Sequence, residues 1–152
     1  MRINLLSIFV DDQRAALEFY TDVLGFSVRH DIPLGDNFWL TVVSPEWPDG
    51  PELLLEPSDH PAVKPYRDAL MEDGIPLAQF EVDNTEAEYD RLAKRGVLFT
   101  QAPTDIGTAI VAVFNDTCGN LIQIVSVKPA KPESSAPSVS PPQEQAAFLE
   151  NG

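Results

Sequence analysis

An internal repeat constrains the fold of this chain most strongly. "INLLSIFVDD" (residues 3–12) and "PLAQFEVDN" (residues 76–84) both read as strands that end in Asp or Asn. A shift of 72 residues superposes residues 10–12 on residues 82–84. A repeat of this kind predicts two similar modules, each too small to bury its own apolar surface alone.

Each repeated strand is followed by a segment with helical periodicity. "QRAALEFYTDVLGF" places its apolar residues on one helical stripe, with Gly25 positioned to end the helix. The stripe consists of Ala16, Phe19, Tyr20, Val23 and Leu24. "TEAEYDRLAKRGVLF" repeats the pattern in the second half, with Gly96 at its end. The Asx residues before both segments are favourable helix N-caps.

Three further strands follow each helix, so each half is predicted to be βαβββ. They are "FSVRHD", "NFWLTVVS" and "PELLLEP" in the first half, and "VLFTQ", "GTAIVAVFN" and "NLIQIVSV" in the second. The predicted class is α+β, with two βαβββ modules that form cupped mixed sheets with helices on the outside. The modules span about 3–57 and 77–127 within a domain of residues 1–127, and "HPAVKPYRDALMEDGI" forms a linking helix at about 61–74. Residues 128–152, rich in Pro and Ser, are predicted to be a disordered tail.

Composition and charge exclude several classes of function. The formal net charge is -14 and the pI is near 4.2, so phosphate backbones and anionic lipids would be repelled. No apolar run approaches the roughly 18 residues that cross a bilayer, and no basic segment precedes an apolar stretch at the N-terminus. With one cysteine, Cys118, the chain forms no internal disulfide. We therefore expect a soluble cytoplasmic protein that binds neither nucleic acid nor membrane.

The doubled βαβββ order and four segments resemble the vicinal oxygen chelate superfamily. The segments are "VDDQRAALEFYTDVLGF", "ELLLEP", "RLAKRGVLF" and "DTCGNLIQI". This superfamily includes glyoxalase I, methylmalonyl-CoA epimerase, extradiol dioxygenases, fosfomycin resistance enzymes and the bleomycin resistance proteins. The resemblance covers residues 2–127. It is specific for the fold and weak for the activity, because one fold hosts many chemistries.

The resemblance implies where a metal would bind. In metal-using members, four strand residues, usually His, Glu or Gln, converge on one divalent ion. The usual histidines of the two first strands fall on Leu5 and Leu77, which cannot hold a metal. The last ligand falls on Gln123, and the remaining one falls on Leu53 by simple counting or on Glu52 if a bulge intervenes. One carboxylate and one amide opposite two leucines would bind a divalent ion poorly.

The two histidines do not complete such a site. His30 ends the second strand, and His60 lies in the turn before the linking helix, so surface or turn roles are expected for both. The sequence therefore predicts no metal site and no cofactor. A divalent metal is possible but not expected.

Strand alternation predicts what the cupped sheets offer instead of a metal. Residues that alternate away from the helix face the cavity, among them Leu5, Leu77 and Leu121. On the fourth strand, Leu53 and Leu55 are the natural core pair, which places Glu52 on the cavity side. The predicted ligand-binding residues are Ser7, Phe9, Phe38, Trp39, Glu52, Gln79, Glu81 and Gln123, with Phe38 and Trp39 at the mouth. Such a pocket suits an organic ligand held by stacking and a few hydrogen bonds.

Three residues keep alternative interpretations. Gln123 is a residual metal ligand, a hydrogen-bonding group in a ligand pocket, or an amide satisfied by Gln79 or by water. Trp39 contacts ligand at a cavity rim or fills an interface. Cys118 reads as a small turn residue rather than a nucleophile, because the sequence places no histidine beside it.

Two functions from different classes are compatible with these residues. The preferred hypothesis is a metal-free binding protein, similar to the bleomycin resistance members, that sequesters or carries a cationic or aromatic organic molecule. The alternative is a lyase, isomerase or dioxygenase-like enzyme that uses a divalent metal or a carboxylate base. Glu81, if buried beside Leu77, would have the raised pKa that such a base requires, and Glu52 is the other candidate. A structural or regulatory role that uses the tail remains a third hypothesis.

A homodimer with two equivalent pockets is also expected. The resemblance implies that modules of different chains complete each other, and an isolated cupped sheet would leave an unpaired edge and exposed apolar surface.

Overall fold

Residues 1–130 are described in the computed structural model of this chain. The predicted disordered tail, residues 128–152, lies outside the described residues except for residues 128–130. None of the described helices combines the length and the apolar character needed to cross a membrane.

Within residues 1–130, eight strands and three α-helices follow the order that the repeat predicts. The first module contains β1 (Leu5–Val10), α1 (Gln13–Glu18), β2 (Ser27–Leu34), β3 (Asn37–Val43) and β4 (Glu52–Pro57). A π-helical turn (Phe19–Val23) continues α1. The linking helix is α2 (Val63–Glu72). The second module contains β5 (Ala78–Glu81), α3 (Thr85–Lys94), β6 (Phe99–Asp105), β7 (Ala109–Asn115) and β8 (Leu121–Val127).

Each module forms one four-stranded mixed sheet. The strand orders are β1-β4-β3-β2 and β5-β8-β7-β6. The pairs β1–β4 and β5–β8 are parallel, and the other pairs are antiparallel. This topology confirms the predicted α+β fold with two βαβββ modules.

Asx side chains begin the two repeated helices, as predicted. The Asp12 carboxylate accepts hydrogen bonds from the backbone N–H groups of Arg14 and Ala15. The Asn84 side chain accepts one from Ala87 N. These bonds satisfy donors that the first helical turn leaves without partners.

The helical sides of the two modules pack on each other. Ile8, Val10 and Tyr20 are buried in the first core, and Phe19 contacts the cores of both modules. Phe80 of β5 lies edge-to-face against Phe26, with ring centroids 5.1 Å apart. The opposite side of each sheet therefore faces outward, and we call it the open face. The first open face includes Ser7, Phe9, His30, Ile32, Trp39, Thr41, Glu52, Leu54 and Glu56, and the second includes Gln79, Glu81, Val111, Gln123 and Val125.

A buried carboxylate joins the modules. Asp116, which is fully buried, accepts a hydrogen bond of 2.7 Å from the Tyr20 hydroxyl. Its two oxygens also accept bonds from the backbone N–H groups of Cys118 and Asn120 and from Asn120 Nδ2. Asn120 Nδ2 in turn donates to the Phe9 carbonyl. The turn before β8 is therefore attached to both the π-helical turn and β1.

The linking helix attaches to the same junction through a buried arginine. Arg67 of α2 is 5% exposed, and its Nη1 donates to the carbonyl oxygens of Phe9 and Cys118 at 3.0 and 2.9 Å. Its Nη2 donates to the Asp11 carboxylate. The sequence does not indicate the burial of Arg67, since an arginine within an amphipathic helix is expected to face solvent.

Candidate functional site

The first open face carries two of the five predicted polar site residues, Ser7 and Glu52, and the other three lie on the second open face. Ser7 and Glu56 lie on the neighbouring strands β1 and β4, and the Ser7 hydroxyl donates to Glu56 Oε1 at 2.7 Å. Phe9 is directly opposite Glu56 in the β1–β4 register. Strand alternation brings these side chains to one face, because residues two apart on a strand point the same way.

A histidine joins Glu52 on this face. His30 Nδ1 lies 3.1 Å from Glu52 Oε2 and 3.1 Å from Thr41 Oγ1. Arg29 Nε is 4.0 Å from the other Glu52 oxygen. The hydrogen bond with Thr41, followed by the interactions with His30 and Arg29, lowers the pKa of Glu52, although partial burial acts in the opposite direction. Glu52 is therefore held as a carboxylate with three polar neighbours.

The sequence alone predicts a surface or turn role for His30 and does not indicate its pairing with Glu52. The strands β2 and β4 do not touch, since β3 lies between them. The register also shifts between Val28 and His30, so simple alternation does not give the direction of the His30 side chain. No local signal in the sequence could have found the contact.

Two apolar side chains border the histidine. Trp39 and Ile32 are register partners on β3 and β2, next to the His30–Thr41 pair. Trp39 is 36% exposed and Ile32 is 51% exposed. An aromatic and an aliphatic surface therefore lie uncovered beside a polar cluster, which is the composition of small-molecule sites.

Phe38 and Trp39, expected together at the pocket mouth, lie on opposite faces of β3. Phe38 packs against the first core, and the Arg14 guanidinium lies 3.8 Å above its ring centroid. Phe38 also lines a cleft of about 390 Å³ at the carboxyl ends of β1 and β4. The acidic groups in this cleft are Asp11, Asp12 and Asp59. Their carboxylates already accept hydrogen bonds from Arg67, from the N-terminus of α1 and from Asn37, respectively.

The second open face presents an amide pair and a carboxylate. Gln79 and Gln123 are register partners on β5 and β8, and Gln123 Nε2 donates to Gln79 Oε1. This bond is the one that the satisfied-amide interpretation of Gln123 requires. Glu81 is exposed rather than buried beside Leu77, so the burial expected to favour a catalytic base there is lacking in the single chain.

The positions implied for metal ligands do not suit a metal. Leu5 is directly opposite Glu52 in the β1–β4 register. Of the two candidates on β4, Leu53 packs against the helix-side core and Glu52 lies on the open face. Leu77 and Leu121, expected to face the cavity, instead border the residues of α2, because this helix folds across that end of the sheet. Within residues 1–130, no three His, Cys, Asp or Glu side chains are grouped as a metal site would need. The donors present do not fit the metal centre that the resemblance implies.

Cys118 and His60 lie outside both open faces. Cys118 is buried, and burial together with the nearby Asp116 charge raises the pKa of its thiol to about 12, so it is not an activated nucleophile. His60 Nδ1 accepts a hydrogen bond from the backbone N–H of Ala62 in the turn before α2.

Comparisons with known proteins agree with this architecture. Residues 2–124 match the profile of the Glyoxalase/Bleomycin resistance protein/Dioxygenase superfamily. The chain is 53% identical over 125 residues to the protein YurT of Bacillus subtilis (strain 168), covering 82% of this chain and 98% of that protein. The crystal structure of UcmS2 has a TM-score of 0.72 and 35% identity, covering 82% of this chain and 97% of that one. TnmS3, an antibiotic binding protein from Streptomyces sp. CB03234, has a TM-score of 0.68 and 26% identity, covering 84% of this chain and 97% of that one. This chain therefore belongs to the glyoxalase/bleomycin resistance protein/dioxygenase superfamily.

Proposed function

We propose that this chain is a metal-free binding protein that sequesters or carries a small organic molecule, aromatic or cationic in character. The observation that carries the proposal is the composition of the first open face. Trp39 and Ile32 supply uncovered apolar surface, and Ser7, Glu52 and Glu56 supply fixed polar groups. Apolar surface with a few oriented polar groups suits recognition of an organic ligand.

The charge of the site favours a cation or a neutral molecule over an anion. Glu52 and Glu56 are carboxylates on the same face of β4, and the whole chain has a formal net charge of -14. A negative potential of this kind concentrates cations near the surface and repels anions.

A relative also supports the proposal. TnmS3, at 26% identity, is described as an antibiotic binding protein. A natural product with aromatic rings is the class of ligand that the Trp39 surface would suit.

The enzymatic alternative has less support. Glu52 has a lowered pKa, whereas a general base that works near neutral pH needs a raised one. A purified protein that retained stoichiometric divalent metal through dialysis would contradict the metal-free proposal.

A homodimer is the second part of the proposal. Because the helical sides pack within the chain, both open faces point outward, with Trp39 and Ile32 uncovered. A second copy would cover this surface and turn an open sheet into a pocket. Light scattering during size-exclusion chromatography measures the mass, and a monomer at micromolar concentration would contradict the dimer.

Ligand-induced thermal shifts test the binding function. The panel consists of acridinium, quinolinium and phenanthridinium salts, as cationic aromatics, and their neutral parent compounds. A ligand present at about 100 times its Kd stabilises the folded protein by about 2.7 kcal/mol, which gives a clear rise in Tm.

Two tryptophan variants locate the binding. Trp39→Ala is expected to abolish the shift, because it removes the aromatic surface of the open face. Trp47→Ala is the matched control, since Trp47 is 63% exposed in the β3–β4 loop. No response to any compound, or an equal response in Trp39→Ala, would count against the proposal.

A further inference from the structure

We infer that His30 and Glu52 form a hydrogen-bond-accepting subsite for a neutral, weakly acidic hydroxyl group on an aromatic ligand. In this arrangement Glu52 is a positioning residue, and His30 Nε2 contacts the ligand. The inference rests on the proposed binding function and names the ligand class.

The position of the ring proton follows from the chemistry of the partner. An ionised carboxylate only accepts hydrogen bonds, so His30 Nδ1, 3.1 Å from Glu52 Oε2, carries the proton. The Thr41 hydroxyl, 3.1 Å from the same nitrogen, can accept from it as well. In the neutral ring the second nitrogen, Nε2, then has a free lone pair. A hydrogen bond at one ring nitrogen sets the role of the other.

His30 Nε2 is available to a ligand. In the described part of the chain, the side-chain hydrogen bonds of His30 are both made at Nδ1. The side chain is 40% exposed on the open face, whereas its partner Glu52 is only 22% exposed. Thr41 and Glu52 therefore hold the Nδ1 edge of the imidazole ring, and Nε2 lies on the opposite edge.

An aromatic ligand fits beside this nitrogen. Ile32 follows His30 on the same face of β2, roughly 7 Å further along the strand. Trp39 is the cross-strand partner of Ile32. A fused-ring compound that covers Trp39 and Ile32 would bring a ring substituent to His30. Stacking on Trp39 would supply affinity, and the hydrogen bond to His30 would supply orientation.

The surrounding charges select the substituent. Nε2 needs a donor, and the Glu52 and Glu56 carboxylates on the same face disfavour an anionic group. A neutral phenol-type hydroxyl satisfies both conditions, whereas a carboxylic acid, which is ionised at neutral pH, satisfies neither.

The first test determines which ring nitrogen of His30 carries the proton, and it needs no ligand. The chain contains two histidines. The second, His60, accepts a backbone hydrogen bond at Nδ1 and so carries its proton on Nε2. Nitrogen-15 NMR at pH 8 is expected to show opposite tautomers, with His60 as the internal control. In Glu52→Gln, His30 is expected to become a mixture of tautomers while His60 does not change. A His30 that is protonated on Nε2 in the wild type would overturn the inference.

The second test compares two probes that differ in one donor. Calorimetric titration is performed with 2-naphthol and with 2-methoxynaphthalene, which has the same rings but no hydroxyl hydrogen. We expect 2-naphthol to bind about tenfold more tightly, the effect of one net hydrogen bond. His30→Phe, which keeps a ring but no acceptor, is expected to remove the difference, and His60→Phe is expected to keep it.

The outcomes separate this inference from the proposed function. If both probes bind equally to the wild type, or if the preference survives in His30→Phe, the subsite inference is wrong and the binding function stands. If neither probe binds while members of the thermal-shift panel do, the subsite inference is again wrong and the binding function again stands. If neither probe nor any panel compound binds, both proposals fail, and the tautomer result then reports only on the ring.

Discussion

Removal of the Tyr20 hydroxyl is the most direct test of how the modules are joined. Tyr20 is fully buried, and its hydroxyl donates to the buried Asp116 carboxylate at 2.7 Å. Tyr20→Phe removes this hydrogen bond alone, because the ring keeps its contacts with Phe19, Phe26 and Phe80. A hydrogen bond to a charged group contributes about 1.5–3 kcal/mol. Since three other donors still serve Asp116, we expect a loss of about 2 kcal/mol.

Urea denaturation, monitored by circular dichroism, measures the loss in the free energy of unfolding. A thermal scan should show a fall in Tm of roughly 6 °C. Protein concentration is kept equal, because a dimer would make stability concentration-dependent. Tyr66→Phe is the matched control, since Tyr66 is 54% exposed on α2. We expect the control to stay within about 0.5 kcal/mol of the wild type. A Tyr20→Phe variant as stable as Tyr66→Phe would refute the importance of the buried pair.

Alkaline pH provides a second measurement on the same residue. Burial, together with the Asp116 charge, raises the pKa of Tyr20 well above its usual value of 10.0. The unfolded chain therefore releases this proton near pH 10 while the folded chain keeps it, so the stabilising effect is complete below pH 10 and declines above it. The decline approaches about 1.4 kcal/mol per pH unit for one group. Because Tyr20→Phe lacks the group, its deficit relative to the wild type should shrink above pH 10, and a constant deficit would contradict the linkage.

Three further predictions concern the junction around Arg67. Gly119→Ala would place a Cβ 2.6 Å from Arg67 Nη1 at a φ of +103°, so the free energy of unfolding, measured by urea denaturation, should fall by about 2 kcal/mol or more. The matched control is Gly96→Ala, where nothing lies within 4 Å of the added Cβ and the expected loss is about 1 kcal/mol. Arg67→Lys should cost about 3 kcal/mol, because an ammonium group cannot reproduce the forked contacts of the guanidinium, and a loss below 0.5 kcal/mol would contradict the role given to it. The Cys118 thiol, with its pKa raised to about 12, should react with Ellman's reagent at pH 8 only after unfolding in urea, and rapid reaction in native buffer would show that it is not buried.

The sequence was most informative where structure depends on local pattern. The alternation of apolar and polar residues predicted that Ser7, Gln79 and Gln123 would lie on the faces away from the helices. Asx residues and glycines marked the helix ends, and the repeat predicted two βαβββ modules. These features depend on residues close together in the chain, so they could be read without coordinates.

Long-range contacts decided the rest. Alternation could not show that α2 would fold across Leu77 and Leu121, or that Arg67 would be buried at the junction. Both positions depend on how the linking helix packs, and linker packing has no periodic signature. By contrast, alternation alone places Phe38 and its neighbour Trp39 on opposite faces of β3, so the pattern itself did not support both residues at one pocket mouth.

The sequence by itself determined the secondary-structure order, the class of fold and the absence of histidine from the Leu5 and Leu77 positions. Only the tertiary structure decided that His30 meets Glu52, because the two strands are separated by β3 and a bulge redirects the side chain. Side chains 22 residues apart came together through the order and register of three strands. Pairing of this kind is fixed by cooperative packing of the whole sheet, so no short segment of the sequence could have specified it.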